Sequence, residues 1–154
     1  MLKYYIQRGL WWVLVQLLLL LVVFGGGFLW SHHWQSGASR VFGWLLVLVG
    51  AGCGVAGALS LGKNLSPFPH PASASALVTR GVYRLMRHPL YTAVFCGSLG
   101  WAMLQASWPA TVAALCLGPF LDAKARVEEK ALRQRFPDYA EYQRRVKRFI
   151  PGVY

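Results

Sequence analysis

Three blocks without a charged residue, 10–30, 41–61 and 89–121, constrain this chain more than any other feature. Such blocks read as membrane spans, since about 20 apolar residues suffice to cross a hydrocarbon core of about 30 Å. The composition agrees. Hydrophobic residues make up 56% of the sequence and charged residues 14%, against about 45–50% and about 25% in soluble domains. At 154 residues, a single domain covering 1–154 is expected.

The third block is too long for one span. A straight helix over 89–121 would run about 50 Å at about 1.5 Å per residue. Ser107-Trp108-Pro109 supplies the break, giving a helical hairpin with spans at 89–106 and 109–121. Pro119 is expected to kink the second arm, which then leaves the membrane as a helix over 122–136 and stops at Pro137. With spans at about 10–30 and 41–61, the fold class is all-α: a polytopic membrane protein with about four transmembrane helices.

Within the spans, a few residues stand out. Gln16 is the one strongly polar interior residue of the first. Lys3 and Arg8 precede that span as in a signal peptide, but its length and the lack of a small-residue cleavage site favour a retained span. The second span carries Gly50 and Gly54, a small-xxx-small pair suited to close helix packing in lipid. His32 and His33 flank the first connection beside Trp30 and Trp34 and read as interfacial belt residues, not as metal ligands. Cys53, Cys96 and Cys116 all fall in apolar segments without ligand spacing, so free buried thiols are expected and no metal site is indicated.

Charge gives the topology. Lys3 and Arg8 precede the first span, four basic residues sit between the second and third, and nine follow the fourth, whereas the other two connections carry only Arg40. The positive-inside rule places both termini and the 62–88 loop in the cytosol, in an inner or plasma membrane. The net charge of +11 then suits an anionic membrane surface, not nucleic acid. Pro67, Pro69 and Pro71 keep the loop from becoming a continuous helix. After Pro137, Asp138 and Glu141 resemble a capping box opening a short amphipathic helix. Its apolar stripe of Tyr139, Tyr142 and Val146 beside Arg144, Arg145, Lys147 and Arg148 suits a membrane surface.

Two stretches on the cytosolic side carry the chemistry. One is 77–91, with Tyr83, Arg87, His88, Pro89 and Tyr91; the other is 124–132, with Lys124, Arg126, Glu128 and Glu129. Taken singly, each residue has an ordinary reading. His88-Pro89 opens a helix with proline at its first position. Arg87 snorkels to the interface. The two acids pair with Lys124, Lys130 or Arg133 along one helix. Taken together, the antiparallel hairpin brings His88 and Glu128 to the same side of the membrane, where a small-molecule site needs convergent polar groups.

The order G-V-Y-x-x-x-R-H-P-x-Y over 81–91, then E-E-x-x-L-x-x-x-F over 128–136 and Y-x-x-Y-x-x-x-V over 139–146, resembles the isoprenylcysteine carboxyl methyltransferase family. That family belongs with the wider membrane phospholipid methyltransferases, and the match covers about 61–151. The resemblance implies S-adenosylmethionine-dependent methyl transfer to a lipid-like or prenylated substrate at the cytosolic face. It implies that Ser75, Ala76, Leu77, Val78, Tyr83, His88, Pro89, Leu90, Tyr91, Glu128 and Glu129 bind the cofactor. Lys124 stands where the family has an arginine near the substrate carboxylate, and Arg126 is the alternative; with Glu128 these form the expected catalytic set. Lysine lacks the bidentate fork of arginine, and Pro137 replaces the family's usual glycine. Two other classes fit the span pattern: a membrane reductase of the sterol reductase type using NADPH, and a non-catalytic four-span scaffold.

Overall fold

The computed structural model describes residues 9–34, 36–70 and 76–154. Among these the chain forms five α-helices, here α1 (Leu10–Leu29), α2 (Gly37–Leu61), α3 (Pro89–Leu104), α4 (Trp108–Arg135) and α5 (Tyr139–Arg145). Two 3-10 turns, Gly62–Asn64 and Gly81–Arg84, lie in the connection between α2 and α3. Of the expected cofactor residues, Ser75 lies outside the described residues.

Local chemistry sets the helix limits. α2 begins earlier than its apolar run, at Gly37, because Ser36 caps it and accepts from the Ser39 amide at 3.4 Å. The hairpin breaks where the sequence indicates. Ser107 caps α4 by accepting from the Ala110 amide, and Pro109 follows in the first turn. α4 then runs through Pro119 as one helix of 28 residues and ends just before Phe136-Pro137.

The outer surface is that of a protein in lipid. α1 and the stretch Gly37–Asn64 are long and apolar enough to cross a membrane, and only 17% and 11% of their most apolar windows are buried. Leu21, Phe28 and Leu59 are 69%, 77% and 78% exposed. Large contiguous apolar surface of this kind is not tolerated in water. α3 is a shorter apolar helix of 16 residues, and α4 is apolar only in its first half. Two of the four expected spans therefore meet the full length and apolarity of a crossing helix.

Close packing holds the bundle. α2 faces α3 through Gly43, Gly50 and Gly57, which are buried and seven residues apart. A Cβ at Gly50 would lie 2.9 Å from the Gly97 nitrogen, and one at Gly100 would lie 2.7 Å from the Gly43 oxygen. The working partner of Gly50 is therefore the heptad Gly43–Gly57 series; a Cβ at Gly54 would meet Ala93 at an ordinary 3.4 Å. α1 packs on α4 around Val23, Ala110, Ala113, Ala114, Leu117 and Leu121. At that end Ser107 Oγ donates to the Gly26 carbonyl at 3.0 Å and Gln105 Nε2 to the Gly27 carbonyl at 3.2 Å.

The C-terminal segment departs from expectation. Asp138 has helical dihedrals (φ −75°, ψ −9°) and makes no side-chain cap bond, while Glu141 pairs with Arg145 at 2.7 Å. No capping box forms. Tyr139, Tyr142 and Val146 turn inward onto Leu77, Leu132 and Phe136. The stripe thus closes the protein interior instead of lying on a lipid surface, because Leu77 and Phe136 offer it a nearer apolar face.

Candidate active site

The loop leading into α3 is fixed by backbone geometry. Gly81 takes φ +63°, and a Cβ there would collide with Ser60 Oγ. This is a position for glycine, and it turns the chain into the 3-10 turn that carries Tyr83 inward. The next residues lie against the C-terminal segment: the amides of Arg87 and His88 donate to the carbonyls of Lys147 and Arg148 at 2.9 and 3.0 Å. His88 precedes α3 with Pro89 in its first turn, as the sequence indicates, but its side chain is turned away from capping.

That side chain lies between the two acids of α4. His88 Nε2 is 3.1 Å from Glu129 Oε1, and Nδ1 is 3.8 Å from Glu128 Oε2. Tyr91 stacks on the imidazole at 5.1 Å with planes 9° apart, and its hydroxyl donates to Glu128 Oε2 at 2.6 Å. The acids therefore do not pair along their own helix. Glu129 is 1% exposed and receives Arg87, Arg148 and Gln143 Nε2, at 2.9, 2.9 and 3.0 Å. Burial alone would raise its carboxyl, but hydrogen bonds from His88 and Arg148 and the charge of Arg87 hold it well below the usual carboxylate range. An ionised carboxylate only accepts, so His88 Nε2 carries the proton. Arg87 is buried in this network and also donates to the carbonyls of Gln143 and Val146. Its expected snorkelling does not occur, because its partners lie inside.

Above this network is a cavity of about 450 Å³. Ala76, Leu77, Val78, Tyr83, His88, Leu90, Tyr91 and Glu128 all line it, and Leu132, Phe136, Tyr139 and Tyr142 complete one wall. The 83–91 stretch and Glu128 thus share one enclosure. Burial pushes the Tyr83 phenol well above its ordinary value, with Glu128 adding to it, and pushes Tyr142 up to about 12. Both are neutral hydrogen-bonding groups; Tyr142 donates to the Tyr83 carbonyl at 2.6 Å.

The remaining described residues of the expected set do not line the cavity. Pro89 is buried at the start of α3, and Glu129 sits in the network beneath. Lys124 turns toward α1, donating to Gln16 Oε1 at 2.7 Å and to the Pro67 carbonyl at 3.0 Å. Arg126 faces outward, 62% exposed, and pairs with Asp122 at 2.7 Å. Several contributors escaped the sequence reading, among them the 61–69 stretch that lines the cavity. Asn64 Oδ1 accepts from the Ala76 amide at 3.0 Å and so anchors the 76–78 wall. Gln143 and Arg148 hold Glu129. In the sequence Arg148 is one of a run of basic residues, and nothing in that run singles it out as a partner of Glu129.

The phospholipid methyltransferase family model matches residues 38–139, a range that contains α3, α4, nearly all of α2 and the cavity residues other than Tyr142. The chain belongs to this family. The chain is also similar to individual proteins. The cobalt-zinc-cadmium resistance protein CzcN of Cupriavidus metallidurans is 33% identical over 94% of this chain and 63% of its own length. Protein-S-isoprenylcysteine O-methyltransferase A of Arabidopsis thaliana is 32% identical over 80% of this chain and 62% of its own length. The chain thus spans less than two thirds of these relatives. A solved eukaryotic intramembrane Ras methyltransferase, isoprenylcysteine carboxyl methyltransferase, superposes with a TM-score of 0.65 at 26% identity, covering 74% of this chain and 42% of that one.

Proposed function

We propose that the protein is an integral membrane methyltransferase that uses S-adenosylmethionine to methylate a lipid-like or prenylated acceptor at the cytosolic face. The observation that carries this reading is the single cavity walled by 76–78, Tyr83, His88, Leu90, Tyr91 and Glu128. Its volume of about 450 Å³ falls in the range of about 300–1,000 Å³ typical of small-molecule sites.

The residues fit the cofactor. Residues 76–79 run outside helix and strand, so their backbone groups are not committed to a ladder. Glu128 presents a carboxylate that is 28% exposed, and Tyr83, Tyr91 and Phe136 present aromatic surface. A carboxylate and aromatic faces suit a ligand with a cationic centre. Leu77, Val78, Leu90 and Leu132 suit a flat apolar ring.

When bound, S-adenosylmethionine supplies a methyl group already activated on its sulfonium sulfur. The protein's share of the work is alignment and exclusion of water. Tyr91 fixes the Glu128 carboxylate by its 2.6 Å hydrogen bond. Glu129, held by Arg87 and Arg148, fixes the imidazole of His88. Leu77 and Phe136, packed on Tyr139 and Tyr142, close the wall toward the C-terminal segment. In the proposed topology, with four spans and both termini cytosolic, cofactor arrives from the cytosol and acceptor from the lipid.

Calorimetric titration of the detergent-solubilised protein with S-adenosylhomocysteine tests the reading. Binding is expected for the wild type, with marked losses in His88→Ala and Glu128→Ala. Absence of binding, or binding indifferent to both substitutions, defeats it. Enhanced NADPH fluorescence would point to the reductase class instead.

A further inference from the structure

Lys124 is 2% exposed, and its ammonium meets neutral groups from three other elements. Gln16 Oε1 of α1 is 2.7 Å away, the Pro67 carbonyl of the proline segment 3.0 Å away, and the centroid of the Tyr91 ring on α3 5.4 Å away. Moving a cation out of water is costly, and such placement persists where its donors are satisfied and the geometry serves a purpose. Here two of its protons have acceptors, and the Tyr91 ring lies within cation–π range. Gln16, the polar residue inside an otherwise apolar span, thereby gains a partner.

The proline segment is itself part of the cavity. Leu65, Ser66, Phe68 and Pro69 line it. Pro69 is fully buried against the start of α1, where a Cβ at Gly9 would lie 2.9 Å from the Pro69 ring. Between the lining residues Ser66 and Phe68, the Pro67 carbonyl points back to Lys124. Within the segment, the Leu65 amide donates to the Gly62 carbonyl and the Phe68 amide to Ser66 Oγ.

We propose that Lys124 is a positioning residue, a latch that holds the 65–69 segment closed over the cavity through the Pro67 carbonyl while Gln16 and the Tyr91 ring hold the ammonium. The role rests on the reading of this cavity as the cofactor site. It acts on a wall of that site, not on the reacting atoms, since Nζ is turned toward α1.

The latch has a definite pH response. Burial pushes the Lys124 ammonium down to about 8, with the Glu128 charge opposing. The groups facing it are Glu128 one turn along α4, Tyr91 from α3, and the uncharged Gln16 and Pro67. Opening returns the amine to water and to an ordinary value of about 10.4. The closed form therefore binds fewer protons between about pH 8 and about pH 10, so rising pH favours closure. The neutral amine keeps two N–H donors, one for each oxygen.

Hydrogen exchange of the ligand-free protein in detergent tests this, read at the amides of Ser66, Phe68 and His70 and corrected for intrinsic exchange. Lys124→Met is expected to raise opening of this segment about tenfold, in line with the loss of a hydrogen bond to the Pro67 carbonyl, with core α3 amides unchanged. In the wild type, opening becomes rarer from about pH 7 to about pH 9, and in Lys124→Met it does not respond. Gln16→Leu, which removes one acceptor only, gives a smaller local rise, and it replaces Lys124→Met as the deciding variant if the latter loosens the whole chain. Unchanged segment exchange in the deciding variant, or a wild-type segment indifferent to pH, overturns the latch. Because no ligand is present, this outcome is independent of the S-adenosylhomocysteine titration, whose failure would defeat the methyltransferase reading alone.

Discussion

The hydroxyl of Tyr91 donates to Glu128 Oε2 at 2.6 Å, tying the first turn of α3 to the polar half of α4 across the cavity. This bond spans the two stretches that the sequence separates by 37 positions. It also orients the carboxylate that lines the cavity.

Glu128→Gln keeps the shape of this wall and removes its charge. A cationic ligand should then bind S-adenosylmethionine-type sites here at least about tenfold more weakly, about 1.4 kcal/mol. Tyr91→Phe leaves the charge and frees the carboxylate, so a smaller loss is expected. Titration with S-adenosylmethionine or the cationic analogue sinefungin measures both. Equal affinity in Glu128→Gln would show that the carboxylate does not face the ligand.

Glu129 is expected to matter for stability more than for binding. Glu129→Ala leaves the buried Arg87 side chain without its carboxylate partner, while the half-buried Arg148 keeps Asp122; breaking a buried pair typically costs about 3–5 kcal/mol. Thermal unfolding in micelles should show a large drop in midpoint. A variant as stable as the wild type would mean that the network is not a structural hub.

The same carboxylate gives an acid limit. Its folded value lies well below the ordinary carboxylate value, which is about 4.3. Its stabilisation is therefore complete above that ordinary value and disappears as pH falls through the folded one. The midpoint of unfolding should stay level from about pH 7 to about pH 5 and decline below about pH 4. Glu129→Gln should flatten that decline; an equally steep one would assign the acid limit to other groups.

The glycine seam between α2 and α3 is directional. Gly100→Ala places a Cβ 2.7 Å from the Gly43 carbonyl and 2.9 Å from the Val47 nitrogen, both backbone atoms that cannot step aside. A loss of about 1–3 kcal/mol is expected from such overpacking. Gly52→Ala meets nothing within 4 Å and should be neutral. Unfolding of the two variants side by side checks the contrast.

The sequence by itself determined the apolar helices, the hairpin and two of the stretches that line the cavity. Those features rest on local physics: runs of apolar side chains, Ser107 and Pro109 at a helix start, Gly81 at a positive φ, and Pro137 at a helix stop. Only the tertiary structure decided what each polar residue faces. Glu128 and Glu129 are neighbours in sequence, but about 100° of helical rotation separates their directions. One meets Tyr91 at the cavity, and the other meets Arg87 and Arg148 beneath it. Lys124 likewise turns to Gln16, 108 positions away, and Tyr139 and Tyr142 turn to Leu77. Such pairings depend on partners brought together by folding, and no spacing along the chain encodes them.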